Sequence, residues 1–288
     1  MAKPLIQQTL GLLSRSSLAF QYRLGRLLAL ILGSTPNRVA RTTRRNLALC
    51  FPELDRQGQR RLYKQVIRHT CYSATELAAI WHWPGKEIEA RITQRDICDG
   101  FEDCENGRII LAPHIGSWET LGVYFGPRID IMFLYKARRN PAEDAYVKQA
   151  RSANGGKPIP NSNEGLKQAL IALRKGQSLI VLPDQRPRPN KVHIPSTFFG
   201  YDAPTTTLVH SLCSRLNCDV FLAAACRRDP VGEFHLLVER LDRAELAGDK
   251  ERSASYMNDR IEELVRRYPE QYQWGYERFA KPLYQAAE

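Results

Sequence analysis

The amino-acid sequence predicts an α/β fold in which a mixed central sheet is layered with helices and preceded by a helical amino-terminal extension. From about residue 107, short apolar runs alternate with amphipathic stretches, a pattern typical of a sheet packed between helices. The chain of 288 residues is long enough to bury a full core. Its 43% apolar and 25% charged residues are ordinary for a globular protein.

The pattern predicts each element in chain order. We expect helices over 36–50 and 57–80, then strands over 107–112, 130–135, 178–183, 219–226 and 234–240. Further helices are expected at 117–126, 141–153, 163–175, 206–217 and 252–267. The chain thus divides into an amino-terminal segment, 1–35, and one domain, 36–288, with a helical lead-in over 36–100 and an α/β core from about 105.

The net charge of +11 lies entirely within residues 1–70, which include the amino-terminal segment. Residues 1–70 hold 13 basic and two acidic side chains, whereas the remainder is balanced. On a helical wheel one apolar face collects Leu10, Leu13, Phe20, Leu24, Leu27, Leu28 and Ile31, and Arg15, Arg23 and Arg26 lie opposite. This pattern favours a helix lying on an anionic membrane surface, with packing on the protein's own core or a tilted single span as alternatives.

Seven cysteines, at 50, 71, 98, 104, 213, 218 and 226, form no C-x-x-C pair. Their scattered, odd-numbered distribution predicts free thiols in a reducing cytosol, all seven of them packed in the core as small hydrophobic side chains.

The clearest candidate for chemistry is His114, which follows the apolar run Arg108–Leu111, with Glu119 five residues further on. Five residues along a helix separate two side chains by about 140°. We therefore expect His114 to precede a helix and Glu119 to lie in its second turn. A histidine and a carboxylate at the carboxyl end of a strand suit a general base with an orienting partner.

Two further polar clusters follow predicted strands. Asp184, Gln185 and Arg186 come after Ser178–Val181, so Asp184 can converge on His114, or else merely start a turn in a Pro-rich loop running to Pro189. Lys136, Arg138 and Arg139 follow the strand at 130–135; guanidinium clusters suit phosphate or carboxylate binding, although a solvated basic face is the alternative.

Several chemistries lack their motifs. The chain has no G-x-S-x-G elbow, no Walker loop, no G-x-G-x-x-G and no H-E-x-x-H spacing. We therefore expect acid–base chemistry on a bound hydroxyl, with no metal and no cofactor.

The His114-x4-Glu119 spacing is similar to the HX4D/E motif of the glycerolipid acyltransferases. Other segments narrow the resemblance to the lipid A biosynthesis acyltransferases, which add lauroyl or myristoyl chains. These segments are Arg45–Leu47, Cys50–Leu54, Leu173–Gln177, Pro183–Gln185, Phe198–Gly200, Thr205–Thr207 and Pro269–Trp274. The resemblance covers roughly residues 20–282.

This resemblance implies an O-acyltransferase at the cytoplasmic face of the inner membrane, held peripherally or by a single amino-terminal anchor. Acyl carrier protein would supply the acyl chain and a glycolipid hydroxyl would accept it. His114 would act as general base with Glu119 on its other nitrogen, and Asp184 and Arg151 would complete the site. The oxyanion would be met by the N–H groups of Gly116 and Ser117 or by Arg151.

Glycolipid phosphates suit the basic cluster, so Lys136, Arg138, Arg139, Gln185 and Arg186 are the candidate substrate-binding residues. Another lipid acceptor, such as a lysophospholipid or lipoamino acid, stays open. A basic nucleic-acid-binding module is the alternative of a different class. It is disfavoured because no aromatic residues interleave with the basic cluster, so we expect no nucleic acid as partner.

Overall fold

The computed structural model describes residues 4–187, 192–229 and 232–285. Arg188 and Pro189 of the predicted loop lie outside the described residues, as do the ends of the two predicted units at 1–3 and 286–288.

Helices surround the sheet and dominate the amino-terminal third. They are α1 (Leu5–Leu13), α2 (Leu18–Ser34), α3 (Arg38–Cys50), α4 (Arg56–Thr75), α5 (Leu77–His82), α6 (Gly85–Glu89), α7 (Trp118–Phe125), α8 (Pro141–Ser152), α9 (Asn163–Arg174), α10 (Leu208–Cys213), α11 (Arg243–Ala247), α12 (Lys250–Arg267) and α13 (Pro282–Gln285), with a 3₁₀ turn at Pro269–Gln271.

The strands are β1 (Ile92–Ile97), β2 (Gly107–Leu111), β3 (Ile131–Tyr135), β4 (Lys157–Pro160), β5 (Ser178–Val181), β6 (His193–Ile194), β7 (Thr197–Phe198), β8 (Tyr201–Asp202), β9 (Thr205–Thr206), β10 (Cys218–Arg227) and β11 (Phe234–Leu241). Seven of them form one sheet in the order β1-β11-β10-β2-β5-β3-β4, and β6 with β9 and β7 with β8 form small two-stranded pairs. The expected mixed α/β sheet is confirmed: β10, β2, β5, β3 and β4 run parallel, whereas β11 is antiparallel to β10.

The five predicted strands and most predicted helices are found within a few residues of their expected bounds. The pattern missed β1 and β4, which are the two edges of the sheet. Edge strands are half solvated: β1 is mostly polar, and β4 contains two prolines, which a central strand would exclude. The predicted helix over 57–80 is divided into α4 and α5 around Glu76.

The sheet separates two hydrophobic clusters. Successive residues of β2 alternate between them, with Ile109 and Leu111 on one face and Ile110 on the other. All seven cysteines are free thiols, as predicted, and five of them are buried. The expectation of a core position is wrong for Cys98 and Cys104, which are only partly buried.

The amino-terminal segment forms two helices rather than the single helix that the wheel assumed. Serines break it: the hydroxyls of Ser14 and Ser16 donate to the carbonyls of Gly11 and Leu13, and Ser17 caps α2. These side chains offer the backbone an alternative to continued helix.

The two helices use the predicted apolar face differently. Leu10 of α1 packs into a cluster with Tyr146 and Val147, so this part of the face covers the protein's own core. On α2 the large apolar side chains Phe20, Leu27, Leu28, Leu30 and Ile31 are exposed. Within the three described ranges, no helix has the length and apolarity that a bilayer crossing requires.

Helix α2 is joined to the sheet through buried polar groups. The Tyr22 hydroxyl donates to Glu76 over 2.7 Å, and Arg227 of β10 donates to Glu76 Oε2 over 2.9 Å. Glu76 and Arg227 are both buried, so the low dielectric makes their pairing important to the fold.

Candidate active site

The site lies where two neighbouring parallel strands end. β2 pairs with β5 in register from Arg108 with Ser178 to Leu111 with Val181. The segments that follow, 112–117 and 182–187, therefore leave the sheet side by side at the carboxyl ends of its parallel strands, where open α/β sheets place reactive groups. The expected strand-turn-helix layout is present, but Glu119 lies in the first turn of α7, not the second.

The imidazole of His114 is held by Asp184. His114 Nδ1 lies 2.9 Å from Asp184 Oδ1, and the His114 backbone N–H donates to Oδ2 over 2.9 Å. A carboxylate only accepts hydrogen bonds, so the proton on the neutral ring belongs on Nδ1 and the lone pair on Nε2. The His114 side chain is 14% exposed and that of Asp184 3%.

Asp184 is kept ionised in spite of its burial. Burial raises the pKa of this carboxyl group, but the charge of His114 and the hydrogen bonds from its ring and backbone outweigh burial and leave the pKa below its ordinary value. Burial and the neighbouring Asp184 carboxylate together raise the pKa of Tyr272 well above its usual range. Asp184 therefore remains a negative partner for an imidazolium.

The expectation that Glu119 orients His114 is wrong in its geometry. Glu119 accepts hydrogen bonds from Nε of Arg151, at 3.1 Å to Oε2, and from Trp81 Nε1, at 3.1 Å; a further short contact joins Arg151 Nη2 to Glu119 Oε1. Its place in the first turn of α7 directs its carboxylate to α8 and α5. The structure thus brings Arg151 to Glu119, and Asp184 to His114.

The expected oxyanion donors are already in use. The N–H of Gly116 donates to the carbonyl of Gln271 over 3.1 Å, and that of Ser117 to the carbonyl of Ala225 over 2.8 Å. These bonds tie the turn after His114 to β10 and to the carboxyl-terminal segment. Gly116 has φ of +59°, and a Cβ there would lie 2.3 Å from the Ala225 oxygen, so the turn requires glycine.

The carboxyl-terminal segment supplies residues that were not assigned to the site from the sequence. Gln185 Nε2 lies 3.2 Å from His114 Nε2 and 3.0 Å from Gln273 Oε1. The Gln273 backbone N–H also donates to the carbonyl of His114 over 3.0 Å. Outside this segment, the ring of Trp118 on α7 packs edge-on against the imidazole, with 5.3 Å between the ring centroids. The Pro269–Trp274 signature was the only signal in the sequence that pointed to this segment.

The predicted substrate-binding basic residues divide into two groups. Lys136, Arg138 and Arg139 are exposed on the loop after β3, which is parallel to β5 and so ends at the same edge of the sheet. Arg186 is partly buried instead, and its guanidinium donates to the Phe279 carbonyl over 3.1 Å.

Together, the fold and site define an α/β enzyme. A histidine whose Nε2 carries a lone pair and whose Nδ1 is bound to a buried carboxylate suits general-base chemistry. Comparison with known proteins identifies the family. The profile of the bacterial lipid A biosynthesis acyltransferases matches residues 10–281. The chain belongs to this family and is an acyltransferase.

Individual relatives are distant but cover most of the chain. The lipid A biosynthesis lauroyltransferase of Escherichia coli K12 is 26% identical over 263 residues, which is 90% of this chain and 84% of that protein. The palmitoleoyltransferase of the same strain is 26% identical over 247 residues, or 82% and 77% of the two chains. A lipid A biosynthesis acyltransferase of Haemophilus influenzae is 24% identical over 240 residues, or 80% and 72%.

Proposed function

We propose that this protein transfers a fatty acyl chain from an acyl carrier protein thioester to a hydroxyl of a lipid A-type glycolipid precursor. The observation that carries the proposal is the bond from His114 Nδ1 to buried Asp184, which leaves Nε2 as the proton acceptor. Lauroyl and palmitoleoyl transfer are the activities in the names of its relatives, which supports a fatty acyl chain as the transferred group.

In this mechanism His114 removes the proton of the acceptor hydroxyl as its oxygen attacks the thioester carbon. The carbonyl electron pair moves to oxygen, and the imidazolium is stabilised by Asp184. The tetrahedral intermediate then collapses: the C–S bond breaks, and the thiolate takes the proton from His114. The products are the ester and free carrier thiol.

The second polar pair has a positioning role in this proposal. Glu119, fixed by Arg151 and Trp81, holds α7 against α8 and so supports the turn that carries His114. The exposed side chains of Lys136, Arg138 and Arg139 meet the phosphates of the glycolipid, and Arg186 contacts it near the carboxyl-terminal segment.

The test is mass spectrometry of the lipids formed from acyl carrier protein thioesters and a glycolipid precursor. We expect a mass increase of one acyl group with the wild type and none with His114→Ala. His210→Ala is the matched control, because His210 lies on α10, away from the site, and its imidazole contacts the carbonyl of Gly248, the residue that ends α11. Wild-type transfer by His114→Ala would contradict the mechanism, and acylation of a lysophospholipid alone would contradict the acceptor.

We further propose that α2 docks on the anionic inner membrane at its cytoplasmic face. Leu27 and Ile31, one turn apart, are each 55% exposed, and the neighbouring Arg23 and Arg26 are exposed as well. An apolar face flanked by arginines suits the boundary between headgroups and acyl chains.

This docking is tested by co-sedimentation with vesicles that contain anionic lipid. Changing Leu27 and Ile31 together to glutamate should abolish pelleting. Ile171→Glu is the matched control, since Ile171 on α9 is similarly exposed, at 53%, and should leave pelleting unchanged. Unaltered pelleting of the double variant would refute the proposal, and nuclease-sensitive complexes would favour nucleic-acid binding instead.

A further inference from the structure

The nitrogen that must accept the substrate proton is already engaged. Gln185 Nε2 lies 3.2 Å from His114 Nε2, and because the ring proton belongs on Nδ1, the amide is the donor. The same amide nitrogen donates to Gln273 Oε1 over 3.0 Å. Both N–H groups of the Gln185 amide are therefore used, one on the base and one on Gln273.

An incoming hydroxyl has to take the place of Gln185 on His114. It must donate its proton to Nε2, and the imidazole lone pair accommodates one donor in its plane. One N–H of Gln185 is then released beside the attacking oxygen. The side-chain oxygen of Gln273, Oε1, keeps its bond to the other N–H and holds the amide near the reaction centre.

The reaction meanwhile creates a negative oxygen that needs a donor. The N–H groups of Gly116 and Ser117 are bound to the carbonyls of Gln271 and Ala225, and Arg151 is bound to Glu119. The oxyanion is the former carbonyl oxygen of the thioester, bonded to the carbon that the hydroxyl attacks, so it lies next to the position that Gln185 leaves.

We propose that Gln185 switches from His114 Nε2 to the oxyanion of the tetrahedral intermediate, with Gln273 holding its amide in place. This inference rests on the proposed acyl transfer and assigns the donor that stabilises its transition state. It requires no group beyond the thioester and the hydroxyl. An N–H that bonds the oxyanion more strongly than the ground state accelerates the chemical step.

The first test measures release of the carrier thiol, which follows the chemical step whichever hydroxyl, or water, accepts the acyl group. Gln185→Met keeps the length of the side chain and removes both donors. We expect kcat to fall about 10²–10³-fold, the loss seen when one oxyanion donor is removed, with little change in the acceptor KM. Gln185→Glu should be slower still, because its charge opposes the oxyanion.

Gln177→Met is the matched control, since the Gln177 amide contacts Asp130 at the surface and should keep the wild-type kcat. Gln273→Leu should give a smaller loss than Gln185→Met, because it frees the amide without removing it. A Gln185→Met enzyme with the wild-type kcat would overturn the proposal.

The second test requires no enzymatic activity. Diethyl pyrocarbonate carbethoxylates an unprotonated imidazole nitrogen, and peptide mass spectrometry reports this at His114. Folded Gln185→Met should react several-fold faster than wild type, because the lone pair of Nε2 no longer accepts a hydrogen bond from the amide. An unchanged labelling rate would refute the resting contact. Faster labelling with an unchanged kcat would refute the oxyanion role, while absence of glycolipid product alone would refute only the proposed acceptor.

Discussion

Glu119 and Arg151 face each other across α7 and α8, with Arg151 Nε 3.1 Å from Glu119 Oε2. Glu119 is five residues beyond His114, yet its hydrogen bonds go to a guanidinium and to Trp81 rather than to the imidazole. The carboxylate of the HX4E spacing therefore fixes the helix that follows the base. Asp184, 70 residues away in the sequence, provides the carboxylate on the base itself.

Because Glu119 pairs with Arg151 and not with His114, we expect substitutions of Glu119 and Arg151 to have strongly coupled effects on stability and activity. Glu119→Ala should lower activity heavily, and Arg151→Ala should do so as well because it leaves a largely buried carboxylate without its counter-ion. The double variant should be no worse than the poorer single variant, giving an interaction free energy of about 1–3 kcal/mol in a double-mutant cycle. The cycle is measured by chemical unfolding and by kcat. Additive effects would show that the two side chains act independently.

Asp184→Asn should inactivate the enzyme without unfolding it. An amide can hold the ring in the wrong tautomer and cannot stabilise the imidazolium, a change that costs about 10⁴ in kcat where a buried aspartate backs a catalytic histidine. Transfer rates and thermal unfolding are compared with those of Asp219→Asn, whose carboxylate pairs with Arg240 at the start of β10. That control should keep its activity; an active Asp184→Asn enzyme would exclude the assigned role.

Gly116→Ala should disturb the turn that carries His114. Its Cβ would lie 2.3 Å from the Ala225 oxygen, in a backbone conformation that L side chains avoid. The strain alone costs about 1–3 kcal/mol, and relief of the clash should shift His114 and lower kcat. Gly122→Ala on α7 is the control, because nothing lies within 4 Å of its added Cβ. Both are measured by urea unfolding, and equal stabilities would contradict this account.

The sequence predicted those elements whose position is set by local hydrophobic patterns. Central strands such as β2 and β5 are buried on both faces, so their apolar runs are continuous and easily found. The strand-end rule then brought Asp184 to the correct edge of the sheet. The prediction of one continuous helix over residues 10–31 was wrong because serine side chains, not hydrophobic periodicity, decide where α1 ends.

The remaining contacts depend on long-range geometry. The choice between Asp184 and Glu119 as partner of His114 rests on side-chain direction, which spacing alone does not determine. Gln273 reaches the site only because the carboxyl-terminal segment returns to the turn after β2, where Ile115 forms a bridge with Tyr272. Such pairing between distant segments has no local pattern in the sequence.

Removing the buried cation of the helix–sheet connection should be costly. Arg227→Met would leave Glu76 buried without its partner, and loss of one member of a buried pair costs about 3–5 kcal/mol. Arg240→Met breaks the partly exposed pair with Asp219 and should cost less than about 1 kcal/mol. Free energies of unfolding from urea titrations give both values. Similar values for the two variants would contradict the difference expected from burial.

The stability of the fold should fall below neutral pH because of His69 on α4. Burial, and then the charges of Arg227 and Arg68, lower the pKa of His69 from 6.5 to about 3. Its Nδ1 is buried without a partner, and its ring packs against Tyr72. The folded protein therefore keeps this imidazole neutral where the unfolded chain binds a proton.

The direction of this pH dependence follows from the protons that His69 binds in the folded and in the unfolded state. Above pH 6.5 neither state protonates His69, so its contribution to stability is complete. Between pH 6.5 and about 3 the unfolded state gains a proton that the folded state excludes, and this group alone lowers the free energy of unfolding by about 1.4 kcal/mol per pH unit. His69→Phe keeps the ring contact and cannot titrate. In urea titrations from pH 7.5 to 4.5, it should remove that part of the slope while matching the wild type near pH 7.5; an unchanged slope would show that His69 titrates alike in both states.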